Sequence, residues 1–166
     1  MSDKADKLLL MLTFVVENSC PRPKGSGTRT RNGFYIEAAG ENLKRYMGDI
    51  SVAIQRDKPK GFVPFDGAVE VAITFVFPMP KKDRRSVGYA LNTRRGDIDK
   101  LVRAVLDACT SAGVWNDDKQ VVLLYSTCMA AQRDSVGDGV TVCVVQEVSD
   151  EGEGKVGLSS LWQRAG

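Results

Sequence analysis

Histidine is missing from all 166 residues of this chain. That absence excludes Ser-His-Asp and Cys-His catalysis, zinc sites with imidazole ligands and nucleases built on a histidine. Any hydrolysis must therefore run on carboxylates, lysine or arginine, and a metal ion. Cysteine is sparse: Cys20, Cys109, Cys128 and Cys143 are never spaced C-x-x-C, so neither a zinc ribbon nor a dithiol redox motif is expected. Their number would permit two disulfides. The start of the chain, Met1 to Lys7, is charged and the apolar run behind it is short, which does not read as a signal peptide. Three of the four cysteines fall in apolar patterns and read as small buried hydrophobes in a reducing cytoplasm. No stretch is long enough to span a membrane, and no internal repeat is visible. A strong overall field is missing too, because the formal net charge is only +2.

The distribution of charge is more telling than its sum. Lys81, Lys82, Arg84, Arg85, Arg94, Arg95, Lys100 and Arg103 lie within one short stretch, against Asp83, Asp97 and Asp99, while Asp150, Glu151 and Glu153 carry acid elsewhere. A local basic stripe of this kind is a usable phosphate footprint. The chain is long enough for one domain with a real core, expected over residues 1–148, with a Gly-rich, mobile tail over 149–166 that makes at most a short contact through Leu158, Leu161 and Trp162.

Leu8 to Val16 is continuously apolar and reads as a buried strand. Glu17 to Asn32 is a polar loop whose Pro21, Pro23, Gly25 and Gly27 exclude helix, and it is basic through Arg22, Lys24, Arg29 and Arg31. Phe34 to Ile36 fits a short strand. Ala38 to Ile54 has helical spacing through Leu43, Tyr46, Met47, Ile50, Val52 and Ile54. Val69 to Phe77 alternates and reads as a strand, Pro78 to Thr93 as a basic loop, and Ile98 to Ala112 as a second helix with Gly113 at its C′ position. Val121 to Cys128 and Val140 to Val148 are further strands, joined by a hairpin turn over Asp134 to Gly139. The order β-α-β-α-β-β predicts a small α+β domain, two helices packed on a mixed sheet.

The chemistry concentrates between Arg94 and Gln120. Asp97 and Asp99 open the second helix, and Asp117 and Asp118 follow it. A single Asp at a helix start is most simply an N-cap. Two at i, i+2 are harder to explain, since only one can cap and the charges repel unless a cation lies between them. Asp117 fits a solvated turn; Asp118 fits one less well because Val121 onward must enter the core. Whether Asp118 meets Asp97 and Asp99 depends on the return path of the chain. Arg103, four residues after Asp99 and four before Asp107, fits either an ion-pair ladder or a fixed cation beside a scissile phosphate.

At these residues the chain resembles the RusA family of Holliday junction resolvases, endodeoxyribonucleases of phages, prophages and bacteria. The family carries Asp-x-Asp-Asn opening a helix, Lys four residues beyond the second Asp, and Asp-Asp-x-Gln before a strand. Here these are Asp97-Ile98-Asp99-Lys100, Arg103 and Asp117-Asp118-Lys119-Gln120, at the family's spacing, with Gly113-Val114-Trp115 and Pro21-Arg22-Pro23-Lys24-Gly25 also matching. Lys100 replaces the usual Asn and Arg103 the usual Lys, an exchange that is not neutral in close phosphate geometry. The resemblance implies a RusA-like fold and a homodimer that binds a four-way DNA junction and nicks opposed strands symmetrically. It implies Mg²⁺ held by the catalytic carboxylates Asp97, Asp99 and Asp118, with one or two ions left open, and Arg103 in the role of the essential Lys. Arg22, Lys24, Lys81, Lys82, Arg84, Arg85, Arg94, Arg95 and Lys100 are the expected DNA contacts. A non-catalytic junction-binding member of the same fold and another carboxylate phosphodiesterase, such as a flap nuclease, are the alternatives.

Overall fold

The computed structural model describes residues 11–25, 27–37, 40–83, 85, 87–89 and 96–148. Leu8 to Leu10, Arg84, Arg94, Arg95 and the expected tail from Ser149 lie outside the described residues. The elements run β1 (Met11–Val16), β2 (Gly27–Arg29), β3 (Tyr35–Glu37), α1 (Gly40–Asp57), β4 (Val69–Pro78), β5 (Val87–Tyr89), α2 (Ile98–Ser111), a 3-10 turn (Asp118–Gln120), β6 (Val121–Ala131), α3 (Arg133–Val136) and β7 (Val140–Glu147). This is an α+β domain with a mixed five-stranded sheet in the order β1-β7-β4-β6-β5, beside a two-stranded β2-β3 ribbon.

Strand β4 is the axis of the sheet. Its alternate residues Val71, Ile73, Phe75 and Phe77 join the core, and it is hydrogen-bonded on both sides. β7 pairs with it antiparallel and β6 parallel. Parallel strands cannot be joined by a tight turn and need a crossover; α2 supplies it. Leu101, Val102, Ala104, Val105, Ala108 and Cys109 form its buried stripe, at the spacing an amphipathic helix requires. Its end is a Schellman motif: Gly113, at φ +73, donates to Thr110 O at 3.1 Å, and Val114 donates to Cys109 O at 3.0 Å. Helix α1 packs against α2 and β1. Its last turn is tied to β1, where Asp57 Oδ2 accepts from Val15 N at 3.2 Å and Arg56 Nη2 donates to Val15 O at 2.7 Å.

Several expectations change. Residues 134–139 are not a hairpin turn. β6 and β7 lie on opposite sides of β4, so the connection must cross two inter-strand spacings, about 10 Å at roughly 4.8 Å each. The short helix α3 and the glycines after it make that crossing. The loop expected over Pro78–Thr93 contains β5, which pairs antiparallel with Met129–Ala131. The first helix runs on to Asp57, and Val52 is exposed rather than part of its apolar face. The observed order is thus richer than β-α-β-α-β-β. All four cysteines are free thiols. Cys109 and Cys143 are buried, and burial pushes the Cys109 thiol well up, which fits their reading as small hydrophobes. No helix among the described residues is long and apolar enough to cross a membrane.

Candidate active site

The N-terminus of α2 is held by the loop after β1. Lys24 N donates to Lys100 O at 2.9 Å. Gly96 has φ +89, and a Cβ there would stand 2.8 Å from the Pro23 ring, so glycine permits the close approach of the two segments. Asp97 occupies the N-cap position in extended conformation, yet its side chain makes no capping hydrogen bond. The carboxylate pairs instead with Lys100 Nζ at 2.8 Å. The capping explanation therefore does not account for Asp97. Asp99, in the first turn, is exposed and has no ion pair among the described residues. Both acids sit at the positive end of the helix, where negative charge is favoured.

One turn further along, Arg103 is exposed and lies over Gly25, where an added Cβ would be 3.4 Å from Nη1. The ladder with Asp107 is absent. Asp107 Oδ2 is taken by Lys24 Nζ at 2.6 Å, the two side chains 31% and 36% exposed. Arg103 keeps no ion-pair partner among the described residues, so its charge is available to a ligand.

The opposite end of α2 carries the second acidic pair. Asp117 caps the 3-10 turn, accepting from Lys119 N at 3.0 Å and pairing with Lys119 Nζ at 3.0 Å. These bonds hold its carboxyl below the usual range. Gln120 completes a capping box: its Oε1 accepts from Asn116 N at 2.9 Å and Asp117 N at 3.1 Å, and its Nε2 donates to Phe65 O and Gly67 O, both at 2.9 Å. Trp115 is buried beside it and donates Nε1–H to Thr110 Oγ1 at 2.8 Å. Asp118 projects from this turn, exposed and in no ion pair among the described residues.

The two acidic groups do not meet within one copy. β4 and β6 run parallel, and Val121, three residues after Asp118, is level with Val69 at the start of β4. The connecting helix must run antiparallel to both strands, so Asp97 and Asp99 lie toward the strands' C-terminal ends and Asp118 at their N-terminal ends. The 14 residues of α2 separate them by about 21 Å at 1.5 Å per residue. Among the described residues no three acidic or sulfur side chains converge on a metal position. A single copy therefore does not provide the three-carboxylate donor set.

The expected DNA contacts divide by partner. Arg22 has no ion pair among the described residues, and Lys81 and Lys82 are exposed at the turn after β4. Lys24 and Lys100 are engaged by Asp107 and Asp97. Arg85 Nη2 lies 2.6 Å from Asp83 Oδ2, and Arg85 holds that carboxyl down at about 2. Gln120 was not among the expected site residues. The Asp-x-x-Gln spacing of Asp117 and Gln120 is a capping-box signal readable in the sequence, and it marks the residue that ties the turn carrying Asp118 to Phe65 and Gly67.

A family model described as endodeoxyribonuclease RusA matches residues 19–142. That span contains both acidic pairs, Arg103 and the loop over the start of α2. A search of curated proteins found no match.

Proposed function

The chain belongs to the RusA family of endodeoxyribonucleases, and from that premise we propose that it is a Mg²⁺-dependent Holliday junction resolvase acting as a homodimer. The observation that carries this reading is the state of the acids: Asp97, Asp99 and Asp118 are the motif carboxylates that no capping bond consumes. Asp118 stands too far from the other two to share an ion with them in one copy. A two-fold pairing that sets the ends of α2 side by side in reverse would bring Asp118 of a second copy to Asp97 and Asp99 of the first. Those three carboxylates would offer the hard oxygen donors that Mg²⁺ takes. When bound, the ion supplies an activated water and offsets charge on the leaving oxygen.

The chain's own side chains supply the rest. Arg103 is a fixed guanidinium one turn from Asp99, suited to the charge that develops on a phosphoryl oxygen. Lys100 screens the Asp97–Asp99 pair and fills the position at which the family has Asn. Arg22, Lys81 and Lys82 offer charge to DNA phosphates away from the acids. Two sites related by a two-fold axis suit paired nicks on opposed strands of a four-way junction.

The test is cleavage of a four-way junction and of a linear duplex, in Mg²⁺ and in EDTA. Metal-dependent nicking of the junction in preference to the duplex is expected. Intact junction in Mg²⁺, at protein concentrations that bind it, would leave a non-catalytic junction binder. Mixing Asp99→Asn with Asp118→Asn tests the shared site: a heterodimer of the two has one intact site, so the mixture should regain nicking that neither variant shows alone. A mixture as inactive as its components would sink the shared site.

A further inference from the structure

A second basic cluster lies outside the acidic motif. A cavity of about 350 Å³ opens between the loop after β1, the first turns of α1 and the α3–β7 turn, lined by Arg22, Arg45, Arg133, Asn18, Asn42 and Asp138 among others. Three arginines from three separate elements line it, against one acidic residue. Arg133 Nη1 is 3.2 Å from Asp138 Oδ1. Arg22 and Arg45 have no ion pair among the described residues. Like charges gathered around one cavity repel unless an anion sits between them, and guanidinium forks are suited to phosphate oxygens.

The walls are fixed by backbone contacts. Ser19 N donates to Gly139 O at 3.1 Å. A Cβ at Gly139, φ +142, would come within 2.8 Å of the Pro21 ring and 3.1 Å of Ser19 O, so glycine allows the two loops to touch. Below them, the hydroxyls of Tyr46 and Thr141 are joined at 2.7 Å in the core. Ser19 Oγ donates to Asp49 Oδ2 at 2.6 Å. Asp138, within the 134–139 segment that reads as a hairpin turn in the sequence, lines this cavity.

We infer that this cavity is a phosphate-binding site for the DNA backbone, distinct from the acidic pair and gripping a second phosphate of the same DNA arm. It rests on the endodeoxyribonuclease reading above. Arg22 lines the cavity, and Pro23, the next residue, packs on Gly96 beside Asp97. One loop is therefore a wall of the cavity and a buttress of the acidic pair, and a backbone lying across it can engage both. Arg45 and Arg133, far from the motif in sequence, become DNA contacts.

The experiment is junction affinity measured against salt concentration for the wild-type protein, Arg45→Gln, Arg133→Gln and Lys44→Gln, using uncleaved junction in EDTA. Each lost phosphate contact should reduce the slope of log K against log salt by about 0.9. Arg45→Gln and Arg133→Gln should each show that reduction. Lys44→Gln, which removes an equal charge from the neighbouring residue of α1 outside the cavity, should leave the slope at its wild-type value. Wild-type slopes in both arginine variants, with circular dichroism showing them folded, overturn the inference and leave the family reading intact. A wild-type protein that binds no junction overturns both, and shows it before any variant is made. Inorganic phosphate gives the last arm. If it raises the melting temperature saturably in wild type but not in Arg45→Gln, while the DNA slopes agree, the cavity holds free phosphate and the DNA assignment falls.

Discussion

The two ends of α2 are built in opposite ways. At the N-terminus the chain is held by Lys24 N on Lys100 O and by the Pro23 ring on Gly96, and the acidic side chains make no capping bond, Asp97 pairing only with Lys100. At the C-terminus almost every polar group is engaged: the Schellman bonds at Gly113 and Val114, the Asp117 cap, and Gln120 reaching four backbone groups. Asp118 makes no ion pair among the described residues. A carboxylate offered to a ligand is recognised here by the capping bond it does not make. The helix between the ends buries a stripe from Leu101 to Cys109 in the core, so the separation of the acids is fixed rather than adjustable. A metal that needs all three has to draw on two copies.

The largest effect expected is on the acids themselves. Asp97→Asn, Asp99→Asn and Asp118→Asn should each abolish junction nicking while leaving junction binding intact or tighter, because a negative charge near DNA is removed. Single-turnover cleavage with a parallel mobility-shift titration checks this. Nicking at the wild-type rate by any one of them would remove that residue from the site and break the symmetry between the ends.

Arg103 is next. It has no ion pair among the described residues, since Lys24 has taken Asp107. Arg103→Ala should slow single-turnover nicking by about 10²–10³, as for loss of a charge-stabilising donor, with a smaller effect on affinity. Arg103→Lys should retain much of the rate. A lowered urea midpoint with an unchanged rate would assign Arg103 to the scaffold instead.

Gln120 tests the other end. Gln120→Ala leaves Phe65 O and Gly67 O without their donor and opens the capping box, a loss of about 1–3 kcal/mol for unsatisfied part-buried groups. The urea midpoint should fall, and nicking should fall with it because Asp118 is no longer held. A stable variant with normal nicking would show that the turn does not position Asp118.

Local features of this molecule were legible in the sequence; distant partnerships were not. The stripe of α2, its end at Gly113 and the apolar alternation of β4 depend on neighbours within a few residues, and each is where its pattern puts it. The hairpin over residues 134–139 failed because adjacency in sequence does not dictate adjacency in a sheet: β4 intervenes. Lys24 and Asp107, 83 residues apart, displaced the i, i+4 pair that was one of the two readings of Arg103. The spacing of the acidic motif was readable, but the distance between its halves follows from the parallel crossover, which is a property of strand order.

The smallest effect is the most direct measure of how the two ends differ. Asp99 lies at the positive end of α2, whereas Asp118 lies in a turn packed beside the negative end. A carboxylate is stabilising at the first and destabilising at the second. Removing the charge should therefore shift stability in opposite directions: Asp99→Asn should lower the urea midpoint and Asp118→Asn should raise it, each by a few tenths of a kcal/mol for exposed groups. Added salt should shrink both shifts, since the interaction is screened within a Debye length of about 10 Å at 0.1 M. The measurement is made without metal and without DNA, so it is independent of activity. Shifts of the same sign, or shifts that persist in 1 M salt, would mean that local contacts rather than the helix field govern these two acids. The contrast between the ends would then be one of hydrogen bonding alone.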